Sequence, residues 1–99
     1  MTDEIKHELK TDSIVFDESF KGSKTFEIRY NDRGFSVGDK LLLRETQFSG
    51  IEMKNGSPLV YTGRSIEQII TYILNGPVYG LADGWVIMSV DTIGKQGNV

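Results

Sequence analysis

The chain has 99 residues, a net charge of −3 and no cysteine. This length suits one domain with a single hydrophobic core, and the lack of cysteine excludes disulfide bonds and thiolate metal sites. No stretch approaches the ~20 apolar residues of a membrane-spanning helix, and the acidic N-terminus lacks the layout of a signal peptide. We therefore expect one cytoplasmic domain over residues 1–99, with no membrane, metal or cofactor, and a monomer or at most a small oligomer.

The first elements in chain order are a strand and a short helix. His7 and Leu9 alternate with charged residues, which indicates one face of a strand. Phe16 and Phe20 are four residues apart, as on the buried stripe of a helix. Gly22 suits the left-handed residue that closes such a helix.

Residues 25–30 alternate more clearly and predict a strand with two different faces. Glu27 and Arg29 are two residues apart, so they share a face on which a carboxylate and a guanidinium can pair. Thr25 shares this face, while the apolar side chains point the other way: Phe26, Ile28 and Tyr30.

The rest of the chain predicts further strands with long connections. We expect a polar loop at residues 31–38, a strand from Leu41 and a mobile excursion at residues 47–57. The next strand is broken or bent, because Pro58 precedes it and Gly63 interrupts it, and a long strand follows at residues 64–74. A last strand at residues 85–90 and a loose tail after Ile93 complete the chain. The fold class is therefore mainly β (α+β), a curled sheet or small barrel of five or six strands with one or two short helices.

Charge is unevenly distributed along the chain. Between residues 21 and 44 there are six cationic residues and three acids, a local charge of +3, so the remainder sums to −6. The overall charge argues against nucleic-acid binding by bulk electrostatics. An anionic ligand would nevertheless be steered to the middle segment.

A candidate site lies at the entry of the strand at residues 25–30. Lys24 precedes the strand and is placed to curl over the face that carries Glu27 and Arg29. Two cations and one carboxylate around one hollow would bind an anion and hydrogen-bond a polar heterocycle. The alternative is an ordinary solvated strand face with a surface ion pair worth under ~1 kcal/mol.

The same segment resembles the signature of the ASCH domain family, within the PUA-like superfamily. That signature, G-x-K-x-x-E-x-R, is filled here by Gly22, Lys24, Glu27 and Arg29. The resemblance spans about residues 5–92 and is strongest to a short branch from bacteria and phages whose function is unassigned. Further matches follow in order at residues 7–10, 31–33, 37–39, 43–45, 61–64, 72–74, 80–81 and 84–86.

The resemblance implies a small PUA-like pseudo-barrel with its core at about residues 5–92, a flexible tail at residues 94–99, and a cleft lined by the signature side chains. The superfamily is chiefly associated with RNA or modified nucleotides. We therefore expect an RNA- or nucleotide-binding domain in which Lys24, Arg29 and Arg44 meet phosphate and Glu27 reads a base edge.

One ASCH branch is an amidohydrolase that acts on acetylated cytidine, and this implies an alternative function. If the chain were such an enzyme, Lys24 would be the base and Glu27 would help to position water. The match is poor, because the position of that branch's catalytic threonine is Glu27 here. A carboxylate beside Lys24 also favours the ammonium form, which opposes a role as a base.

Three further residues are weaker candidates for ligand contact. His7 is the only histidine, so it forms no catalytic triad or histidine metal site, although it could reach the cleft from the first strand. Tyr79 and Trp85 could stack on a base. For His7 and Trp85 structural packing is the more frequent role. An interaction adaptor that uses an exposed strand edge and residues 47–57 is a third possibility.

Overall fold

Five strands and two short helices account for most of the chain in the computed structural model, which describes residues 5–97. The mainly β class predicted from the sequence is confirmed. None of the helices in this range is long and apolar enough to cross a membrane. In chain order the elements are β1 (His7–Asp12), α1 (Ser13–Lys21), β2 (Phe26–Tyr30), β3 (Lys40–Thr46), α2 (Gly50–Lys54), β4 (Tyr61–Asn75) and β5 (Trp85–Gln96).

The five strands form one sheet in the order β1-β3-β4-β5-β2. β1 runs parallel to β3, and the other neighbouring pairs are antiparallel. The sheet curls into a half-barrel. Its two edge strands, β1 and β2, are connected by α1 and lie on opposite sides of the gap in the half-barrel. One edge of β2, the strand that carries Glu27 and Arg29 of the signature, therefore borders this gap and does not pair with another strand.

The core fills the inner face of the curled sheet, and α1 packs against it. Phe16 is fully buried, and its ring lies 5.7 Å from that of Phe20, as their helical spacing predicts. Gly22 closes the helix at a φ of 93°, a left-handed conformation that is least strained for glycine. The strands contribute the rest of the core: Leu9, Leu41, Leu43, Ile66, Ile70, Val86, Met88 and Val90, together with Phe35 from the loop after β2.

Three predictions about the second half of the chain need correction or refinement. The excursion at residues 47–57 contains α2, which begins with a reciprocal capping box between Ser49 and Glu52; the Ser-x-x-Glu spacing is the signal we overlooked. β4 passes through Gly63 without a break, at a φ of 98°, where its register with β3 shifts. The expected tail at residues 94–99 is wrong for its first three residues, which extend β5 and pair with β4; residues 98–99 lie outside the described range.

We expect Ser49→Ala to lower the free energy of unfolding by about 1 kcal/mol, because the Ser49 hydroxyl accepts the N–H of Glu52 at 3.1 Å and caps α2. Urea denaturation measures this difference. Ser36→Ala is the matched control, since the Ser36 side chain is exposed and makes no hydrogen bond with residues 5–97. Equal stabilities of the two variants would show that the cap contributes nothing.

Candidate functional site

A local turn brings Lys24 to the start of β2. The backbone N–H groups of Gly22, Ser23 and Lys24 all donate to the carbonyl oxygen of Glu18 in the last turn of α1. This arrangement reverses the chain tightly at the end of the helix. As a result, the lysine side chain lies over the first residues of β2 instead of extending into solvent.

Lys24, Glu27 and Arg29 converge on one another, as the spacing in the sequence predicts. Lys24 Nζ lies 2.6 Å from Glu27 Oε2 and also donates to the carbonyl oxygen of Phe26 at 2.7 Å. Arg29 donates to Glu27 Oε1 through Nη2 at 3.0 Å and Nε at 3.2 Å. Glu27 is only 2% exposed, so its charge is compensated where water is almost absent.

The face of β2 that turns inward is the charged one. Phe26, Ile28 and Tyr30 are 44%, 46% and 55% exposed, while Glu27 between them is buried. Alternation predicts the two faces but not which of them faces the core. In this chain the ion pairs with Lys24 and Arg29 satisfy the inward carboxylate, and the apolar side chains are left outside.

Arginine side chains cross the gap between the terminal strands of the sheet. Arg29 Nη1 donates to the carbonyl oxygen of Lys10 and Nη2 to the hydroxyl of Thr11, both at 3.2 Å. Arg33 Nη1 donates to the carbonyl oxygen of Glu8 at 3.0 Å. β1 and β2 are therefore connected by cationic side chains across a cleft.

Two adjoining hollows lie on either side of Arg29. The smaller, about 190 Å³, is lined by Lys10 and Lys24 among others, and the larger, about 310 Å³, by Arg33 and Trp85 among others. Ile28 and Arg29 line both hollows, so the two are neighbours. We call this pair of hollows the cleft.

The cleft is lined by charged residues of both signs. Its cationic side chains are Lys24, Arg29 and Arg33, and Lys10 borders it through the backbone carbonyl that accepts from Arg29. The acids beside them are already engaged: Glu27 by two cations, Asp12 by the backbone N–H of Gly50 at 3.0 Å, and Asp32 by Arg33 at 3.3 Å. Lys24 and Arg29 keep 14% and 26% of their side-chain surface open to solvent, so both remain accessible to an anion.

Glu27 pairs with Lys24 and Arg29 and holds both cations in place. Both of its oxygens accept hydrogen bonds from these two residues, and its reading of a base edge stays a prediction. Its side chain is only 2% exposed to solvent. We therefore assign to Glu27 the positioning of the two cations.

Arg44 does not join the cleft. It lies on β3, the second strand of the sheet, where strand alternation directs it to the outer face. Its Nη1 is 2.7 Å from Glu8 Oε2, and its guanidinium lies 3.5 Å from the centre of the Tyr61 ring. It lines a separate hollow of about 500 Å³ with Glu67. We predicted that Arg44 contacts phosphate together with Lys24 and Arg29, but the structure does not bring these three residues together.

His7 and Tyr79 also lie apart from the two hollows, while Trp85 lines the larger one. His7 is buried with Nε2 2.9 Å from Asp39 Oδ2, and its ring meets the Phe35 ring edge-on at 4.7 Å, which is a structural role. Tyr79 is 94% exposed in the connection between β4 and β5. Trp85 stands opposite Tyr30 on the neighbouring strand, with ring centres 6.0 Å apart.

Sequence reasoning missed a second buried ion pair, between Glu45 on β3 and Arg64 on β4. Arg64 donates to both Glu45 oxygens at 2.8 Å, and the Thr62 hydroxyl donates to Oε1 at 2.6 Å. The bond from Arg64 lowers the pKa of Glu45 from 4.5 to about 2, against the opposing effect of burial, and Thr62 adds to the lowering. Only the strand register brings these residues together, so no local motif reveals them.

Arg33 is a cleft cation that the site prediction did not name. It lies in the positive segment that the charge distribution indicated. Lys10, on β1, borders the cleft through its backbone carbonyl because the sheet curls. Within residues 5–97, no three histidine, aspartate or glutamate side chains are grouped closely enough to hold a metal ion.

The fold and the cleft together define a small curled β-sheet protein with a cationic groove between its two terminal strands. The chain belongs to the family described as a domain of unknown function (DUF3850), whose model matches residues 6–90. A comparison with curated proteins found no match.

Proposed function

We propose that this protein binds RNA or a nucleotide in the cleft between β1 and β2. The observation that carries the proposal is the pair of partly exposed cations, Lys24 and Arg29, held by the buried carboxylate of Glu27. Binding an anion there does not require the two side chains to be ordered first, which lowers the entropic cost of binding.

The cleft offers both kinds of contact that a nucleotide needs. Arg29 and Arg33 present guanidinium groups, which suit phosphate oxygens. The Trp85 and Tyr30 rings lie beside them in the larger hollow and offer an apolar surface for a base. Phosphate contacts would supply most of the affinity, and their strength would fall as salt rises.

The resemblance of the signature to the ASCH family supports the same function, and we propose membership of that family and a cytoplasmic location on that basis. The matched family model assigns no function of its own. The proposal therefore depends on the chemistry of the cleft. The sequence motif adds to this chemistry because three of its four positions, Lys24, Glu27 and Arg29, are the residues that meet there.

The alternative, hydrolysis of an acylated cytidine, has less support. Lys24 Nζ donates hydrogen bonds to both Glu27 and the Phe26 carbonyl oxygen, so the structure holds it as a donor and not as a proton acceptor. Incubation of N4-acetylcytidine at high protein concentration tests this function. Release of acetate that disappears in Lys24→Ala would replace the binding proposal with the enzymatic one.

The binding proposal is tested by titrating nucleoside monophosphates and short RNA into ¹⁵N-labelled protein at low salt. We expect amide shifts in residues 24–33 and at Lys10 and Trp85. Shifts confined to other parts of the chain, or none at saturating ligand, would overturn the proposal. Repeating the titration at higher salt should weaken the binding, because the phosphate contacts are screened.

We expect Arg33→Gln to weaken nucleotide binding about fivefold, since one phosphate contact of roughly 1 kcal/mol is lost. Arg44→Gln is the matched control: it makes the same change of charge on the outer face, away from the cleft. Fluorescence or calorimetric titration of both variants measures the difference. Equal losses of affinity would show that only the net charge matters and that the ligand does not occupy the cleft.

A further inference from the structure

The outer face of β2, β5 and β4 is unusually apolar for a surface that is open to solvent. Rows of cross-strand partners run over the three strands: Phe26, Ser89 and Tyr72 in one row, and Ile28, Ile87 and Leu74 in the next. A third row pairs Tyr30 with Trp85. We call this surface the aromatic face; its apolar members are Phe26, Ile28, Tyr30, Tyr72, Leu74, Trp85 and Ile87.

The aromatic face is exposed, and no helix or strand within residues 5–97 covers it. Tyr72 is 59% exposed, Trp85 40% and Phe26 44%. The outer face of a solvated antiparallel sheet is normally polar, and a contiguous exposed apolar patch marks an interaction site. Phe26 and Tyr72 are two strand spacings apart, roughly 10 Å, and Tyr30 lies roughly 14 Å further along β2 from Phe26.

The aromatic face and the cleft meet along β2. Lys24 Nζ lies 4.9 Å from the centre of the Phe26 ring, and the larger hollow of the cleft includes Tyr30 and Trp85 together with Arg29 and Arg33. One side of the strand therefore carries cations and the other carries rings. A partner that fits both has negative charges along one edge and flat apolar groups along the other.

We infer that single-stranded RNA lies along β2, with its phosphates at the cationic cleft and successive bases stacked on the aromatic face. Rings accept the flat face of any base, and positive grooves beside them follow the nucleic-acid backbone. A duplex fits less well, because its bases are already stacked inside. This inference rests on the proposed function and extends it to the form of the ligand and to two contact residues outside the cleft, Phe26 and Tyr72.

The test compares the affinities for two ligands. Binding of a single-stranded RNA hexamer is measured by fluorescence anisotropy, and binding of uridine monophosphate by NMR chemical shift. In Phe26→Leu and Tyr72→Leu an apolar side chain remains but the ring is lost. We expect each change to weaken hexamer binding about fivefold to tenfold. Tyr72→Leu should leave mononucleotide binding unchanged, because Tyr72 lies two strands from β2 and lines neither hollow of the cleft. Phe26→Leu also removes the ring beside Lys24, so only its hexamer affinity is compared. Tyr79→Leu, which removes an exposed ring from the β4–β5 connection, is the control and should bind the hexamer like the unchanged protein.

The other outcomes separate this inference from the proposed function. Unchanged hexamer affinity in both variants, with the mononucleotide still bound in the cleft, overturns the aromatic face and leaves the proposed function standing. Absence of binding by either ligand overturns both. Equal or tighter binding of duplex RNA or of a DNA strand overturns the assignment to single-stranded RNA. Self-association in sedimentation that both leucine variants abolish, without an effect on RNA affinity, would show that a second copy of the chain covers the face.

Discussion

Glu27→Gln is expected to lower the free energy of unfolding by about 2 kcal/mol. The substitution keeps the shape of the side chain but removes the charge that Lys24 and Arg29 surround, and Glu27 is almost completely buried. Removing one partner from a buried ion pair leaves the other charge poorly compensated, which costs roughly 3–5 kcal/mol where both partners are buried. We expect a smaller loss because the two cations retain access to water. Urea denaturation at neutral pH measures the difference.

Glu8→Gln is the matched control for this prediction. It also removes a carboxylate from an ion pair, that with Arg44, but both of these side chains are exposed, so the expected change is below about 0.5 kcal/mol. A Glu27→Gln protein that unfolds no more easily than Glu8→Gln would contradict the view that Glu27 holds the cleft together.

The second large effect concerns Glu45 and acid. Its pKa in the folded protein is about 2, below the ordinary value of 4.5, chiefly because Arg64 hydrogen-bonds to it. A carboxyl group with a lowered pKa contributes stability above its unfolded pKa, and this contribution is lost as the pH falls through the folded pKa. We expect Glu45 to contribute about 2 kcal/mol at neutral pH, and this contribution to disappear between about pH 4.5 and pH 2.

The measurement is the difference in unfolding free energy between the unchanged protein and Glu45→Gln at several pH values. The difference should be largest near neutral pH and should shrink as the pH approaches 2. Arg64→Met removes the main cause of the lowered pKa, so it should reduce the same pH-dependent difference. A difference that stays constant with pH would mean that Glu45 titrates alike in the folded and unfolded chains.

The two ion pairs show why charged residues can lie on the inner face of this sheet. Glu27 and Glu45 are each held by an arginine and by one further donor, Lys24 for Glu27 and Thr62 for Glu45. The pair at Glu45 lies beneath α1, where Arg64 also contacts the rings of Phe16 and Phe20. The pair at Glu27 borders the open cleft. We therefore expect the pair at Glu45 to affect stability alone and the pair at Glu27 to affect both stability and binding.

Much of the candidate site can be predicted from the sequence, because its central residues lie within a few positions of one another along the chain. Glu27 and Arg29 share a face through the two-residue repeat of a strand, and Lys24 follows a helix whose end is marked by Gly22. The other cleft residues depend on which strands meet. The Lys10 carbonyl and the Thr11 hydroxyl come from β1 at the opposite edge of the sheet, and Arg44, on β3, is directed to the outer face.

The amino-acid sequence by itself determined the mainly β class, the short helix with its two buried phenylalanines, and the convergence of Lys24, Glu27 and Arg29. Each of these follows from periodicity within a few residues. Only the tertiary structure decided that the charged face of β2 turns inward and that its aromatic residues stay outside. Strand alternation divides side chains into two faces, whereas the curl of the sheet and the register between distant strands select the face that is buried.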